Sequence, residues 1–166
     1  MTGTGAPSDR PAAVVIACST RAARGVYEDR TGPILVEALR SWGFEVPDSI
    51  VVEDGPPVGA ALRAALAGAP DLVLTTGGTG ITSRDLTPEY TTPLLDRLVP
   101  GIAEHLRAVG VANGVASAVL SRGVAGLAGR TLVVNLPGSR GAVRDALDVL
   151  GPLLPHVVGQ LRDGDH

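Results

Sequence analysis

The sequence predicts a single α/β domain with a largely parallel sheet that is covered by helices on both faces. Three observations predict it. Short apolar runs alternate with stretches of helical period. No internal repeat or linker divides the 166 residues, and this length suits one domain. The segments that follow the apolar runs are rich in Gly, Ser, Thr, Asp and Arg, which is typical of functional loops at strand ends.

The strand predictions rest on continuous apolar runs, which are typical of strands buried on both faces. The four runs are 12-AAVVIAC-18, 46-VPDSIVV-52, 71-DLVLTT-76 and 131-TLVVN-135. The segment 111–129 is ambiguous, and we expect a short helix followed by an extra strand near 121–127.

Five helices are predicted between these strands, because apolar residues recur there at helical spacing. Pro33 suits the first turn of the first helix, and Gly43 suits its C-terminal end. The predicted helices are 33–43, 57–68, 88–99, 101–110 and 141–154.

Composition excludes several classes of function. The 14 basic residues are all Arg, so a Walker A site, which requires Lys, is excluded. A net charge of −3 leaves no basic footprint for nucleic acid. Cys18 is the single cysteine, which excludes an internal disulfide and a cysteine-based zinc site.

The two termini and the hydropathy pattern set the expected domain bounds and location. Residues 1–11 are polar and contain no apolar signal-peptide core, so we expect a disordered lead-in followed by one domain over 12–162. No apolar run approaches the roughly 18 residues of a membrane span. The sequence therefore predicts a cytoplasmic protein without a membrane partner.

The stretch 75-TTGGTGITSRDLTPE-89 is the strongest candidate for a binding loop. Glycines at 77, 78 and 80 allow positive φ angles, and successive N–H groups in such a loop can hold an anion. Hydroxyl donors surround them at Thr76, Thr79, Thr82 and Ser83. A plain turn is the alternative. The dinucleotide pattern G-x-G-x-x-G fails, because Ser83 stands at its last glycine.

Two acidic residues lie in loops at the predicted carboxyl edge of the sheet. Asp54 follows the second strand, and Asp85 ends the glycine loop. Two carboxylates beside substrate phosphates suit Mg²⁺. Each residue also precedes a predicted helix, so helix capping is the alternative role.

The loop 135-NLPGSRG-141 repeats this organisation of a strand, a polar turn and a helix. Ser139 suits the N-cap position of the last helix. Free N–H groups at this helix start, together with Arg140, could bind a second anion, and a plain strand-to-helix turn is the alternative.

These blocks together resemble the MogA/MoaB family, the molybdopterin adenylyltransferases of molybdenum cofactor biosynthesis. The resemblance runs from about Val14 to Leu161 and is especially close to actinobacterial MogA-like members. Four separated blocks carry it in the same order: 25-GVYEDRTGPIL-35, 75-TTGGTGITSRDLTPE-89, 100-PGIAEHLR-107 and 119-VLSRGVAGLAGRTLVVNLPGS-139.

The resemblance implies a three-layer α/β/α domain with a mostly parallel central sheet. It implies transfer of AMP from Mg-ATP to molybdopterin with release of pyrophosphate, a homotrimer, and hand-over of the product to a molybdenum-insertion protein. Asp54 and Asp85 match the essential acidic positions and are the expected catalytic and Mg²⁺-binding residues.

The two remaining sets of site residues also come from matching the family blocks and their neighbours. The expected nucleotide-binding residues are Thr76, Gly77, Gly78, Thr79, Gly80 and Ser83. The expected pterin-binding residues are Ser121, Arg122, Asn135, Pro137, Gly138 and Ser139.

The chain departs from many relatives at two places. Ser19-Thr20 stands where many have Ser-Asp, and Arg140-Gly141 stands where many have Pro-Lys. These departures motivate a second hypothesis, a pterin-binding scaffold without turnover. A third hypothesis is a nucleotide-processing enzyme like the related domain of competence-damage proteins.

Overall fold

A six-stranded sheet forms the centre of the protein in the computed structural model, which describes residues 9–163. Its strands are β1 (Ala13–Cys18), β2 (Ile50–Val52), β3 (Leu72–Thr76), β4 (Arg97–Leu98), β5 (Ala125–Ala128) and β6 (Thr131–Leu136). The spatial order is β2-β1-β3-β6-β5-β4. The first four strands in this order pair in parallel, and β5 pairs antiparallel with both β6 and β4. The predicted mostly parallel sheet is confirmed.

Helices cover both faces of this sheet. They are α1 (Thr20–Ala23), α2 (Gly32–Ser41), α3 (Pro56–Ala67), α4 (Thr87–Thr91), α5 (Pro100–Ala112) and α6 (Arg140–Leu161). Two 3-10 turns, Thr92–Leu94 and Ala116–Leu120, lie between them.

Alternating strand residues divide the core into two layers, because successive side chains of a strand point to opposite faces. On one face, strand residues such as Leu74 and Val134 pack with residues of α2, α5 and α6. On the other face, residues such as Val73 and Val133 pack with α3. The three-layer α/β/α architecture is therefore confirmed.

The helix predicted over 88–99 is confirmed only for its first turn, and the prediction is wrong for the rest of the segment. Helix α4 ends at Thr91, and the chain continues as a 3-10 turn around Pro93 and then as edge strand β4. Proline has no N–H to donate and its ring clashes inside a helix. After it, the N–H of Asp96 donates to Leu127 and the N–H of Val99 donates to Ala125, so the segment extends the sheet instead.

Other boundaries differ by a few residues from the predictions. Strand β2 is limited to Ile50–Val52, where it pairs with the end of β1. Helix α6 continues to Leu161 through Pro152 and Pro155. The extra strand expected near 121–127 is β5, at Ala125–Ala128. Helix α1, a single turn, was not predicted.

The predicted lead-in over 1–11 lies mostly outside the described residues. Of its last residues, Pro11 accepts a hydrogen bond from the N–H of Glu45, and the Arg10 side chain donates to the carbonyl of Gly43. Disorder of the lead-in stays a prediction. Among residues 9–163, no helix has the length and hydropathy to cross a membrane.

Candidate functional site

Two cavities open side by side at the carboxyl edge of the parallel strands, where ligands bind in sheets of this type. The first measures about 710 Å³ and the second about 590 Å³. Both are lined by Gly77, Gly78, Thr82, Asp85 and Gly138. The glycine loop and the loop after β6 therefore form a shared wall between them.

Close backbone packing explains the glycines of this wall. Gly77 has a φ of 96° and Gly78 a φ of 69°, values that side chains rarely adopt. A Cβ atom on Gly77 would lie 2.3 Å from the carbonyl oxygen of Cys18. A Cβ atom on Gly138 would lie 3.1 Å from the Cα atom of Gly77. Only glycine lets the three strand-end segments approach this closely.

Asp54 is held by the start of α1 and does not cap the helix that follows it. Its Oδ2 atom accepts hydrogen bonds from the N–H of Thr20 at 3.0 Å and from the Thr20 hydroxyl at 2.8 Å. The N-cap residue of α3 is Gly55, and no side chain caps that helix. Thr20 thus orients a candidate catalytic carboxylate.

Asp85 is held within its own loop. Its Oδ2 atom accepts hydrogen bonds from the N–H of Thr82 at 3.0 Å and from the Thr82 hydroxyl at 2.8 Å. The N-cap residue of α4 is Leu86, again without a side-chain cap. The capping alternative is therefore wrong for both Asp54 and Asp85.

The two candidate metal-binding carboxylates each keep a free acceptor. Both line the second cavity, and in each the Oδ1 atom accepts no hydrogen bond from residues 9–163. Mg²⁺ suits one or two carboxylates completed by phosphates and water. Within the described part of the chain, no group of three or more His, Cys, Asp or Glu residues could hold a metal. Substrate oxygens would complete this coordination.

A buried hydrogen-bond network supports the glycine loop from below. The side-chain amide of Asn135 donates to the hydroxyls of Thr75 and Thr91, and its Oδ1 atom accepts from the N–H of Val124. The hydroxyl of Thr91 donates to the Thr87 carbonyl. The hydroxyl of Thr87 donates in turn to the Gly77 carbonyl. The side-chain amide of Asn135 therefore forms its hydrogen bonds within the protein, although Asn135 also lines the first cavity.

The residue before the glycine loop and the cysteine beneath it are buried. Thr76 donates its hydroxyl either to Thr31 or to the carbonyl of Pro137, both at 3.1 Å. Burial raises the pKa of the Cys18 thiol to about 12, although a hydrogen bond with Thr87 works in the opposite direction. Cys18 is thus a protonated packing residue.

The predicted binding residues divide between the two cavities. Those that line the first cavity are Gly77, Gly78, Thr79, Gly80, Asp85, Ser121, Asn135, Pro137, Gly138 and Ser139. Those that line the second are Asp54, Thr76, Gly77, Gly78, Asp85 and Gly138. Ser83 and Arg122 line neither cavity. Their binding roles stay predictions.

Ser139 begins helix α6 as its N-cap, as predicted. Its hydroxyl accepts a hydrogen bond from the N–H of Ala142 at 3.2 Å. The N-terminus of this long helix therefore faces the cavities, since Ser139 and Gly141 line the first and Arg140 lines the second. A helix N-terminus in this position favours anions.

Four arginines around the second cavity form a feature that sequence reasoning largely missed. Arg21, Arg30, Arg84 and Arg140 come from four different segments. Their side chains form no hydrogen bond or ion pair within residues 9–163. Unpaired guanidinium groups around an open cavity suit phosphate oxygens. The absence of Lys pointed to arginine as the side chain for anions, but spacing did not show that these four converge.

The first cavity has a more apolar lining. Leu106, Val115 and Leu120 contribute apolar side chains, and Arg107, Asn113 and Asp145 supply polar groups at its rim. Such a cavity suits a flat ring system with a few hydrogen-bonding groups at its edge.

Comparison with known proteins is decisive for the family. Residues 14–156 match the model of the "probable molybdopterin binding domain" family. The chain belongs to this molybdopterin binding domain family. The resemblance to MogA and MoaB proteins is thereby confirmed.

Relatives of the molybdopterin binding domain family match most of this chain. The molybdopterin adenylyltransferase of Pyrococcus furiosus is 37% identical over 153 residues, which cover 90% of each chain. The molybdenum cofactor biosynthesis bifunctional protein of Synechococcus elongatus is 40% identical over 155 residues, 93% of this chain. The chain spans only 48% of that bifunctional protein.

A solved structure extends the comparison to three dimensions. The molybdopterin biosynthesis Mog protein of Mycobacterium ulcerans superposes with a TM-score of 0.85 at 52% identity. The match covers 92% of this chain and 99% of that one. The family match over residues 14–156 includes all the residues that line the two cavities.

Proposed function

We propose that this chain transfers AMP from Mg-ATP to molybdopterin and releases pyrophosphate, as an enzyme of molybdenum cofactor biosynthesis. The observation that carries the proposal is the pair of cavities with a shared glycine wall. One cavity is lined by unpaired arginines and two carboxylates, and the other has an apolar lining. Relatives named molybdopterin adenylyltransferase support the same reaction.

The phosphates of ATP would lie in the second cavity. The arginines there would pair with phosphate oxygens, and Asp54 and Asp85 would hold Mg²⁺ by their free Oδ1 atoms. The ion, when bound, would supply positive charge to the phosphates. Thr20 and Thr82 orient these carboxylates by donating to their Oδ2 atoms.

Molybdopterin would occupy the first cavity, with its phosphate at the shared wall. The predicted pterin-side residues Ser121, Pro137 and Ser139 line this cavity. Gly77, Gly78 and Gly138 have no side chains, so the two phosphates can meet where the two cavities adjoin. The backbone N–H groups of the glycine loop would bind the oxygens of these phosphates.

The reaction needs positioning more than acid or base chemistry. An oxygen of the pterin phosphate forms a bond to the α-phosphorus of ATP. The bond between that phosphorus and the bridging α–β oxygen breaks, and its electron pair leaves with pyrophosphate. The attacking oxygen is already anionic, so no residue has to remove a proton. Arg84 and the neighbouring arginines would stabilise the charge that develops on pyrophosphate.

Location and partners follow from the family as part of this proposal. We expect a cytoplasmic homotrimer that hands adenylylated molybdopterin to a molybdenum-insertion protein. The expectation extends to small-molecule substrates alone, with no nucleic acid or membrane as a partner.

The test is transfer of AMP to molybdopterin, followed by pyrophosphate release and by mass spectrometry of the product. Asp54→Asn and Asp85→Asn should each lower the rate by about 10²–10³, the usual cost of one electrostatic group in the transition state. Asp48→Asn is the matched control, because Asp48 is 95% exposed and pairs with Arg40 on the surface.

The outcomes separate the candidate functions. Wild-type rates in both site variants would remove Asp54 and Asp85 from the reaction. Tight binding of molybdopterin without any pyrophosphate release would favour the scaffold hypothesis. Hydrolysis of nucleotide without pterin would favour the competence-damage type of enzyme.

A further inference from the structure

The side chain of Arg122 bridges the two ends of the glycine-loop tip. Its Nε atom donates to the carbonyl of Gly80 at 2.8 Å, and a terminal nitrogen donates to the carbonyl of Asp85. The tip between these carbonyls is residues 81–85. One planar guanidinium therefore fixes the distance between Gly80 and Asp85, the candidate catalytic residue.

Glu89 anchors the same guanidinium from the other side. Both of its carboxylate oxygens accept hydrogen bonds from the terminal nitrogens of Arg122. Glu89 lies on α4, which is itself joined to the glycine loop, since Thr87 donates its N–H to Gly78 and its hydroxyl to Gly77. The guanidinium thus joins the loop tip to α4, which already contacts Gly77 and Gly78.

The segment that carries Arg122 is also fixed. The N–H of Arg122 donates to the carbonyl of Thr79 at 2.8 Å, and the hydroxyls of Ser121 and Thr79 lie 3.2 Å apart. From α5, Arg107 donates to the carbonyls of Ser121 and Gly123, each at 3.3 Å. Arg122 therefore lies on a segment that is held by α5 and by Thr79, outside the loop tip.

The position of Asp85 depends on this bridge. A Cβ atom on Gly80 would lie 2.7 Å from Oδ2 of Asp85, so the carboxylate is packed against the Gly80 backbone. The other hydrogen bonds of Asp85 involve Thr82, which is part of the same tip. Those bonds would move with the tip, whereas the bonds from Arg122 tie it to the rest of the domain.

We propose that Arg122 is a positioning residue that, together with Glu89, clamps the loop tip and sets the place of Asp85, and that it binds no phosphate. Its donors are directed to two carbonyls and a carboxylate, and its side chain lines neither cavity. The clamp itself is a property of the unliganded protein. Its effect on catalysis rests on the proposed adenylyl transfer.

Hydrogen exchange in the unliganded protein tests the clamp. The reporters are the N–H groups of Thr82 and Asp85, which bond within the tip. Arg122→Gln, Arg122→Lys and Glu89→Gln should each speed their exchange about tenfold or more, because each loses hydrogen bonds to a charged group. Lysine keeps the charge but cannot bridge two carbonyls as a planar fork. Arg84→Gln is the matched control, since Arg84 lies on the same tip and forms no bond there, and it should leave exchange unchanged.

Kinetics then separate positioning from substrate binding. The clamp predicts that Arg122→Lys and Glu89→Gln lower kcat by about tenfold or more with little change in KM for ATP, as for a misplaced catalytic group. A phosphate-binding Arg122 predicts instead that Lys retains most activity, that Gln raises KM for ATP, and that Glu89→Gln has no effect.

Each outcome bears on the proposal. Wild-type exchange in Glu89→Gln and in either Arg122 variant would overturn the clamp. Faster exchange with unchanged kcat would overturn the positioning of Asp85 for transfer. If the wild-type protein transfers no AMP, the proposed function fails but the exchange result still decides the clamp. Glu89→Gln keeps the test available if the Arg122 variants do not fold.

Discussion

Replacement of Gly77 by alanine tests the packing on which both cavities depend. The Cβ atom would lie 2.3 Å from the carbonyl oxygen of Cys18, and that atom belongs to the backbone of a central strand. Neither partner can rotate away, because Gly77 also donates its N–H to the carbonyl of Leu136 at 2.9 Å. The φ of 96° adds strain for any residue with a side chain.

The expected cost combines these two effects. A positive φ costs a non-glycine residue about 1–2 kcal/mol, and overpacking in a fixed site costs about 1–3 kcal/mol. Gly77→Ala should therefore lower the free energy of unfolding by about 2–5 kcal/mol, a large share of the roughly 5–15 kcal/mol of a typical domain. Gly43 is the matched control, since its φ is 91° and no heavy atom lies within 4 Å of a built Cβ. Gly43→Ala should cost only about 1–2 kcal/mol.

Urea denaturation followed by circular dichroism measures both variants. The difference between them isolates the steric clash from the backbone strain, provided that the slope of the transition is unchanged. If Gly77→Ala is no more destabilising than Gly43→Ala, the close approach of the glycine loop to β1 is wrong. The shared wall between the cavities would then be wrong as well.

Three further predictions follow from single contacts. Alkylation of Cys18 at about pH 8 should be much slower in the native protein than in urea, because burial raises its pKa to about 12 and the thiolate is the reactive form; equal rates would contradict its burial. Burial opposes ionisation of Asp71, but hydrogen bonds from Arg162 and from the N–H of Ala12 lower its pKa below 3.8, so Asp71→Asn should cost about 1–2 kcal/mol at neutral pH. That cost should disappear as the pH falls through the lowered pKa of Asp71, and a constant cost in acid titrations would refute the linkage. Ser139→Ala should cost about 1 kcal/mol in urea denaturation and Ser139→Gly only a few tenths, and equal losses would argue against the N-cap.

The sequence predicted the sheet because its strands are buried on both faces. The runs that became β1, β3 and β6 are continuous and apolar, and their carboxyl ends meet at one edge. The prediction failed where a periodic pattern contained a helix breaker. Apolar residues around 88–99 repeat at helical spacing, but Pro93 ends the helix and the edge strand β4 competes for the remaining residues.

The candidate site was predicted in part because it lies at the carboxyl edge of the parallel strands. Parallel strands bring Asp54 and Asp85 to one cavity although 31 positions separate them, and this placement follows from topology. Spacing could not reveal their partners. Thr20 reaches Asp54 across 34 positions, and Arg122 reaches Asp85 across 37. Such contacts depend on side-chain direction in loops, which hydrophobic periodicity does not encode.

The composition indicated that arginine would bind anions, but the spacing of the residues did not indicate which arginines. A chain without Lys has to use Arg for anions, yet nothing in the sequence shows that Arg21, Arg30, Arg84 and Arg140 surround one cavity while Arg122 faces protein carbonyls. Glu89 gives a partial signal, because it follows the glycine loop on a helix start. Hydrogen bonds with Arg122 lower its pKa against the opposing effect of burial.

A crystal structure with Mg²⁺, a non-hydrolysable ATP analogue and molybdopterin tests the central claim most directly. The account predicts triphosphate density in the second cavity among its arginines, with the metal on Asp54 and Asp85. The pterin should lie in the first cavity, with its phosphate next to the α-phosphorus where the two cavities adjoin. A nucleotide bound outside the second cavity, or both ligands bound within one cavity, would contradict it.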